Sequence, residues 1–301
     1  MGKMRILNFG SLNIDYVYEI DQIVRKGETK AASTRRVFPG GKGLNQSVAL
    51  ARAGCSVWHA GCVGEKDGQI LLDTLKASGV QTEWIKRISE PSGHAIIQKD
   101  WNGDNSIILY GGANRKIKKE SITETLSAFG RGDMLILQNE INNLETIIMD
   151  AKERGMDITL NPSPAAGIKN LCCAEKIDRL ILNEIEACDL VGISTSDPER
   201  LIYALKGLYI NAQIVLTMGE KGAVLYNEGK IIYQEIYETE VVDTTAAGDT
   251  FTGYFIAAVL HGYSEKGALE TASRAAAIAV SREGASTSIP WKSEVADYAE
   301  K

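Results

Sequence analysis

The sequence predicts an α/β fold: a mainly parallel sheet covered by helices on both faces, with a small separate β-sheet attached. Three observations carry this. Strand-like apolar runs alternate with helical periodicity along most of the 301 residues. Short period-two segments near 16–38 and 93–110 interrupt that alternation. The last third ends in two long helical patterns. Strands alternating with helices form parallel sheets whose crossover helices lie on the faces. One domain over 1–301 is expected, with the small sheet built from excursions at about 14–38 and 93–111.

The elements follow in order. Ile6, Leu7 and Phe9 mark a first strand over 5–12. Residues 16–20 alternate in a period of two, and a further extended piece ends at Phe38. The cluster Pro39-Gly40-Gly41-Lys42-Gly43 follows, then a helix carrying Val48, Leu50 and Ala51 that stops near Gly54. Residues 56–63 read as strand and 69–77 as helix. Two strands, 93–99 and 106–110, flank the turn Trp101-Asn102-Gly103-Asp104. The alternation resumes with strand 134–138, helix 144–152, strand 157–161, strand 180–182, helix 199–208 and strand 214–218. Residues 222–226 and 230–234 pair as a hairpin, and helices cover 248–260 and 265–281, separated by His261-Gly262.

Composition narrows the function. Hydrophobic residues are 44% and charged residues 24%, enough apolar surface for a sizeable core. The net charge of -6 argues against nucleic acid and against an anionic membrane surface. Five cysteines lack any C-x-x-C pair, and three histidines lack H-E-x-x-H spacing, so zinc chemistry is disfavoured. There is no apolar run of about 18 residues, and a cytoplasmic protein with reduced thiols is expected. No G-x-x-x-x-G-K-[ST] occurs, and Gln46 stands where G-x-G-x-x-G requires its last glycine.

Two glycine-containing turns remain. Asp243-Thr244-Thr245-Ala246-Ala247-Gly248-Asp249 follows a strand and opens a helix. Its small residues let a substrate approach bare backbone, and first-turn N–H groups suit a phosphate. Asp249 at that edge is placed to accept a proton from an attacking hydroxyl; alone, a helix-start carboxylate also has a purely structural explanation. The turn at 40–46 suits a sugar: backbone N–H groups at Gly40 and Gly41, side-chain donors at Lys42 and Asn45. Asn13, Asp15 and Glu140 add an amide and carboxylates that match vicinal hydroxyls. Ligands of such folds bind at the carboxyl ends of the strands.

These residues give the chain its resemblance to a family. Asn13-x-Asp15, Gly40-Gly41-Lys42-Gly43-x-Asn45-Gln46, Asn183-x-x-Glu186, Thr217-x-Gly219-x-x-Gly222 and the Asp243–Asp249 turn stand in order along nearly the whole length. The chain resembles the ribokinase (PfkB-type) family of carbohydrate kinases. Gly112-Ala113-Asn114, Asn161-Pro162-Ser163-Pro164 and Arg282-Glu283-Gly284-Ala285 draw it toward the ribokinase branch.

The resemblance implies a three-layer sandwich with a β-sheet lid and ATP-dependent transfer of the γ-phosphoryl group with Mg²⁺. D-ribose, giving ribose 5-phosphate, is the leading acceptor. Another sugar or a nucleoside is the alternative, and a non-catalytic sugar-binding protein a further one. By resemblance Asn13, Asp15, Gly40, Gly41, Lys42, Asn45 and Glu140 hold the sugar; Asn183 and Glu186 face the phosphates and Mg²⁺. Thr217, Gly219, Glu220, Lys221, Gly222, Gly248 and Ser273 line the nucleotide. Ala246, Ala247 and Gly248 form the anion hole, and Asp249 is the base. A K⁺ site matches Asp243, Thr245, Ala279, Arg282, Gly284 and Ser288, and the lid implies a homodimer. The chain departs from the pattern at His94, Gln98 and Ser273.

Overall fold

In a computed structural model, residues 4–102 and 104–298 are described. Residues 1–3 and 299–301, and Gly103 of the expected hairpin turn, lie outside them. The described strands are β1 Ile6–Phe9, β2 Asn13–Glu19, β3 Thr34–Gly40, β4 Val57–Gly64, β5 Gln81–Ile88, β6 Gly93–Lys99, β7 Asn105–Tyr110, β8 Met134–Gln138, β9 Asp157–Asn161, β10 Arg179–Asn183, β11 Gln213–Thr217, β12 Ala223–Asn227 and β13 Lys230–Gln234. The helices are α1 Lys42–Arg52, α2 Gln69–Ala77, α3 Lys119–Leu126, α4 Leu144–Glu153, α5 Glu184–Val191, α6 Pro198–Leu208, α7 Ala247–Leu260, α8 Glu265–Val280 and α9 Lys292–Tyr298. No helix among the described residues is long and apolar enough to cross a membrane.

The large sheet runs β13-β12-β11-β10-β9-β8-β1-β4-β5. It is parallel from β11 to β5, and the β12–β13 hairpin closes one edge antiparallel. Its two faces feed separate cores, because successive side chains of a strand point to opposite sides. Met134 and Ile136 of β8, Ile181 of β10 and Val215 of β11 pack with α1, α2, α7, α8 and α9. Leu135 and Leu137, Leu180 and Leu182, Ile214 and Leu216 pack with α3 to α6. These strands are therefore apolar on both faces, as parallel sheets require. Each fully buried Leu, Ile or Phe contributes about 1.5–3 kcal/mol.

Helix α7 is buried over ten consecutive positions from Asp249 to Ala258, packed between α1 and α8. A helix apolar all round belongs inside a core.

The second sheet has the order β3-β2-β6-β7, with β2–β6 parallel and the outer pairs antiparallel. The first strand is shorter than expected from sequence and stops at Phe9. Asn13 and Asp15 lie on β2 of the small sheet, which begins three residues before the expected start at 16.

Candidate active site

The site is organised by the start of α7. Ala246, just before the helix, has φ 62, a left-handed conformation that costs a non-glycine residue about 1–2 kcal/mol. Two hydrogen bonds hold it: Ala247 N–H donates to Thr244 O at 3.2 Å, and Thr250 N–H to Ala246 O at 2.8 Å. The Ala247 amide is thereby engaged within the turn. The amides of Gly248 and Asp249 belong to the first helical turn, which has no partner inside the helix. Ala246 to Asp249 line a cleft of about 200 Å³ together with Lys42, Asn183, Glu186 and Thr217. Asn183 and Thr217 end β10 and β11, so the cleft opens at the carboxyl edge of the sheet, where ligands of such folds sit.

Asp249 is buried, and α1 supplies a donor to each of its oxygens. Asn45 Nδ2 donates to Oδ2 at 3.0 Å and Gln46 Nε2 to Oδ1 at 2.9 Å. Burial pushes its pKa up, the Lys42 charge and the two amide donors push it down, and Glu140 adds to the rise; the balance lies above the usual carboxylate value. Burial depresses the Lys42 ammonium, but Asp249, Glu140 and Glu186 outweigh that and hold it above its ordinary value.

A second group of polar residues adjoins the cleft through Lys42 and Asp249. Glu140 Oε2 accepts from Ser11 Oγ and from Lys42 N–H, the latter at 3.2 Å. Asn13 Oδ1 accepts from Asn114 Nδ2 at 2.7 Å, and Asn114 Oδ1 accepts from Leu12 N–H at 3.0 Å. Asp15 lies against Gly40, where a β-carbon would displace its carboxylate. Burial, then the charge of Glu140, pushes the Asp15 carboxyl up to about 7. Asn13, Asp15, Gly40, Lys42, Asn45 and Glu140, distant in sequence, are thus brought together, and Gly41 joins Gly40 to Lys42.

The motif at 183–186 is a capping box for α5: Asn183 Oδ1 accepts from Glu186 N–H at 2.8 Å, and Glu186 Oε2 from Asn183 N–H at 3.1 Å. Both residues nonetheless line the cleft. Gly219, Glu220 and Lys221 form a single 3₁₀ turn directly after β11. Gly222 has φ 89, and a β-carbon there would overlap the Gln234 carbonyl, so the hairpin requires this glycine independently of any ligand. Ser273 is buried on α8 and is not among the residues lining the cleft.

Asp243 Oδ1 accepts from Thr245 N–H at 2.9 Å and Thr245 Oγ1 at 2.6 Å, and Oδ2 from Gly284 N–H at 3.2 Å. These hydrogen bonds outweigh partial burial and hold its carboxyl below the usual range. Val242 and Asp243 N–H both donate to Val280 O, which docks this turn on the end of α8 near Ala279. The Arg282 side chain pairs with Glu294 at 2.6 Å, and Ser288 Oγ donates to Ala285 O at 2.8 Å. Among the described residues no group of three or more His, Cys, Asp or Glu side chains is arranged around a common point for a metal ion.

His94 pairs with Ile14, whereas Asp15 pairs with Ala95. His94 therefore occupies the sheet face opposite Asp15. Its ring lies 5.9 Å from Tyr16 and 5.0 Å from Tyr110. Gln98 Oε1 accepts from Val24 N–H at 3.0 Å, fastening the loop after β2. Asn161, Ser163, Thr244 and Thr252 also line the cleft and were assigned no site role from sequence. Asn161 and Ser163 stand in the Asn161-Pro162-Ser163-Pro164 run, the only sequence signal that pointed near them.

The pfkB family carbohydrate kinase model matches residues 3–292. The "Ribokinase" of Haemophilus influenzae is 32% identical over 297 residues, covering 97% of each chain. The structure of ribokinase from Thermotoga maritima superposes with a TM-score of 0.88 at 35% identity, covering 99% of this chain and 100% of that one. Arabidopsis thaliana ribokinase complexed with ribose and ATP gives 0.88 at 31% identity, covering 100% of both. With a match over nearly its full length and a buried carboxylate at the helix start that the sequence singled out, the chain belongs to the pfkB family of carbohydrate kinases.

Proposed function

We propose that the chain phosphorylates D-ribose at O5, using ATP. The observation that carries this is the place of Asp249: fixed by Asn45 and Gln46 at the junction of the two polar groups, beside the first-turn amides of α7. A sugar held by Asn13, Asp15, Gly40, Gly41, Lys42, Asn45 and Glu140 presents a hydroxyl to Asp249. Asn45 Oδ1 is buried without a partner, an acceptor that a sugar hydroxyl satisfies. Asp249 takes the hydroxyl proton as the oxygen attacks the γ-phosphorus. Gly248 and its neighbours Ala246 and Ala247 present the turn that receives developing negative charge, and Lys42 adds a positive charge. The adenine nucleotide lies toward Thr217 and the Gly219–Lys221 turn.

A carboxylate and an amide among the residues lining the cleft suit a largely hydrated Mg²⁺, which Glu186 and Asn183 would hold. Bound there it neutralises charge shared between the phosphate oxygens. Asp243, Thr245 and Ser288, with the carbonyls of Ala279, Arg282 and Gly284, would offer K⁺ the oxygen ligands it takes; the Asp243–Gly284 hydrogen bond that ties the two turns supports this. Bound there, K⁺ would steady the turn that leads from Asp243 to Ala246.

The small sheet acts as a lid over the sugar. Its strand β7 exposes Ile107, Ile108, Leu109 and Tyr110, each about half accessible, along a free edge. Such an edge is a template for pairing, so we assign it to a homodimer. The cytoplasm, which supplies ATP, is the compartment. ADP release measured over D-ribose, 2-deoxyribose, hexoses and nucleosides tests the reading. The highest kcat/KM belongs to D-ribose; a nucleoside preference would replace it.

A further inference from the structure

Asp249 terminates a buried hydrogen-bond chain for which the reaction as described has no use. Asn8, Gln46, Ser47, His59 and Gln138 all have 0% exposure. His59 Nε2 lies 3.2 Å from Gly10 O. A carbonyl only accepts, so Nε2 carries the proton and Nδ1 accepts, from Ser47 Oγ at 2.8 Å. Ser47 Oγ accepts in turn from Asn8 Nδ2 at 2.8 Å, and the same nitrogen donates to Gly43 O at 2.8 Å. Asn8 Oδ1 is thereby turned toward Gln138 Nε2, 3.0 Å away. Gln138 Nε2 also donates to Gln46 Oε1 at 2.7 Å. Gln46 is left presenting its NH₂ to Asp249 Oδ1 at 2.9 Å and to Asn161 Oδ1 at 3.1 Å. Asn161 Nδ2 is itself anchored on Ile181 O at 2.8 Å.

Backbone carbonyls at Gly10, Gly43 and Ile181 anchor this chain at three points, so reversing any one amide sets donor against donor or acceptor against acceptor; Gln138, whose Oε1 is buried without a partner, is held by the two acceptors its Nε2 serves. Such a reversal leaves buried polar groups unsatisfied.

We infer that Gln46 is a positioning residue for the base, and that Gln138, Asn8, Ser47 and His59 set the direction of its amide. This rests on the reading of Asp249 as the base. A donor on each carboxylate oxygen favours the ionised form and fixes which lone pairs remain for the sugar hydroxyl. An acceptor turned toward Oδ1 in its place would repel the charge or demand a proton. The charged groups facing Asp249 are Lys42 at the start of α1 and Glu140 after β8. Neither lies in the chain, so altering the chain leaves both in place. Burial pushes the His59 imidazole down to about 4, so it stays neutral and its tautomer is constant over the working pH range.

The test is the pH profile of kcat/KM for ATP at saturating sugar, where Asp15 is already committed to the sugar. Gln46→Met keeps length and removes both donors. The acid limb moves up by about one pH unit, kcat falls at least about tenfold and the sugar KM stays within about twofold. Gln138→Met leaves Gln46 in place but unlocks its amide; the limb moves the same way by about half a unit. A general packing defect lowers the melting temperature without moving the limb. Folded variants with the wild-type limb overturn the inference, and should Gln46→Met fail to fold, Gln138→Met alone decides by the same criterion. Asp249→Asn runs alongside. If it keeps full turnover, the assignment of the base itself falls; if it is inactive and both limbs are unmoved, only the positioning role falls.

Discussion

The floor of the site and the small sheet are built on opposite terms. On the floor, Asp249 sits on a helix buried for ten consecutive residues, and its neighbours Gln46, Gln138, Asn8 and His59 are sealed from solvent. In the small sheet, β7 is exposed on both faces, and Arg36 ties β3 through ion pairs to Glu19 and Glu283. Chemistry that depends on fixed direction is placed where packing density permits no rearrangement. The small sheet, proposed as the lid, carries fewer buried side chains, the kind of element in which local opening costs least. Asp15 belongs to the second region and Asp249 to the first, and both carboxyls are pushed up by burial. The difference lies in the partners: Asp249 has a donor on each oxygen, whereas Asp15 faces the like charge of Glu140.

The comparison breaks first at the floor. Asp249→Asn preserves shape and removes the proton acceptor, so kcat falls about 10²–10⁴-fold. Sugar affinity, measured by calorimetry, is largely kept. Loss of sugar binding together with turnover would place Asp249 in recognition alone.

Next in size is the cation turn. Replacing K⁺ by tetramethylammonium at equal ionic strength lowers kcat about ten- to hundredfold, because misdirected amides lose part of a donor effect worth roughly 10²–10³. Asp243→Ala flattens the preference. Equal rates in K⁺, Na⁺ and tetramethylammonium would remove the ion from the account.

The small sheet gives about a tenfold effect with a different signature. Asp15→Ala removes a charged hydrogen-bond partner worth roughly 1.5–3 kcal/mol, raising the sugar KM at least about tenfold while the ATP KM hardly changes. The same carboxyl gives a pH dependence. With its pKa at about 7 in the free protein, it is largely protonated at pH 6. Hydroxyls donate to the ionised form, so the sugar KM falls by about tenfold from pH 6 to 8. Stability runs the other way: between 3.8 and about 7 the folded chain keeps a proton that the unfolded chain has released, so this group's stabilisation is lost as pH rises through about 7. Asp15→Asn abolishes both trends. The smallest effect on rate is at the edge: Ile108→Asp converts the dimer to monomer by light scattering and changes kcat less than about twofold. A wild-type chain that is already monomeric would contradict the edge assignment.

Much of this was legible in the sequence. The alternation that predicted a parallel sheet succeeds because its central strands are apolar on both faces, and β6, β8, β9, β13 and α2 have the expected bounds. Strand β5 escaped because it is an edge: Glu83, Lys86 and Arg87 break its apolar run. Helices α3, α5 and α9 are short, and α5 opens with a capping box that reads equally well as a ligand motif. In the site, the Gly40–Asn45 and Ala246–Asp249 turns were visible because glycine and alanine mark bare backbone. Gln46 was visible as the end of the Gly40–Gln46 motif and as a failed dinucleotide glycine, neither of which gives it a role. Its role depends on Gln138 and Asn8, 92 and 38 residues away in sequence, and no local pattern encodes that meeting. Ser273, and Gly219 to Gly222, are placed at the nucleotide by family position alone; none of them lines the cleft beside Asp249.

The most direct test of the central claim is product analysis. The wild-type chain and Asp249→Asn are incubated with ATP, Mg²⁺, K⁺ and D-ribose and followed by phosphorus NMR. The account predicts a phosphomonoester on O5 of ribose, formed in step with ADP by the wild-type chain and slower by about 10²–10⁴ in the variant. Phosphate on another hydroxyl, ADP formed without a sugar ester, or equal rates in the two proteins would contradict it.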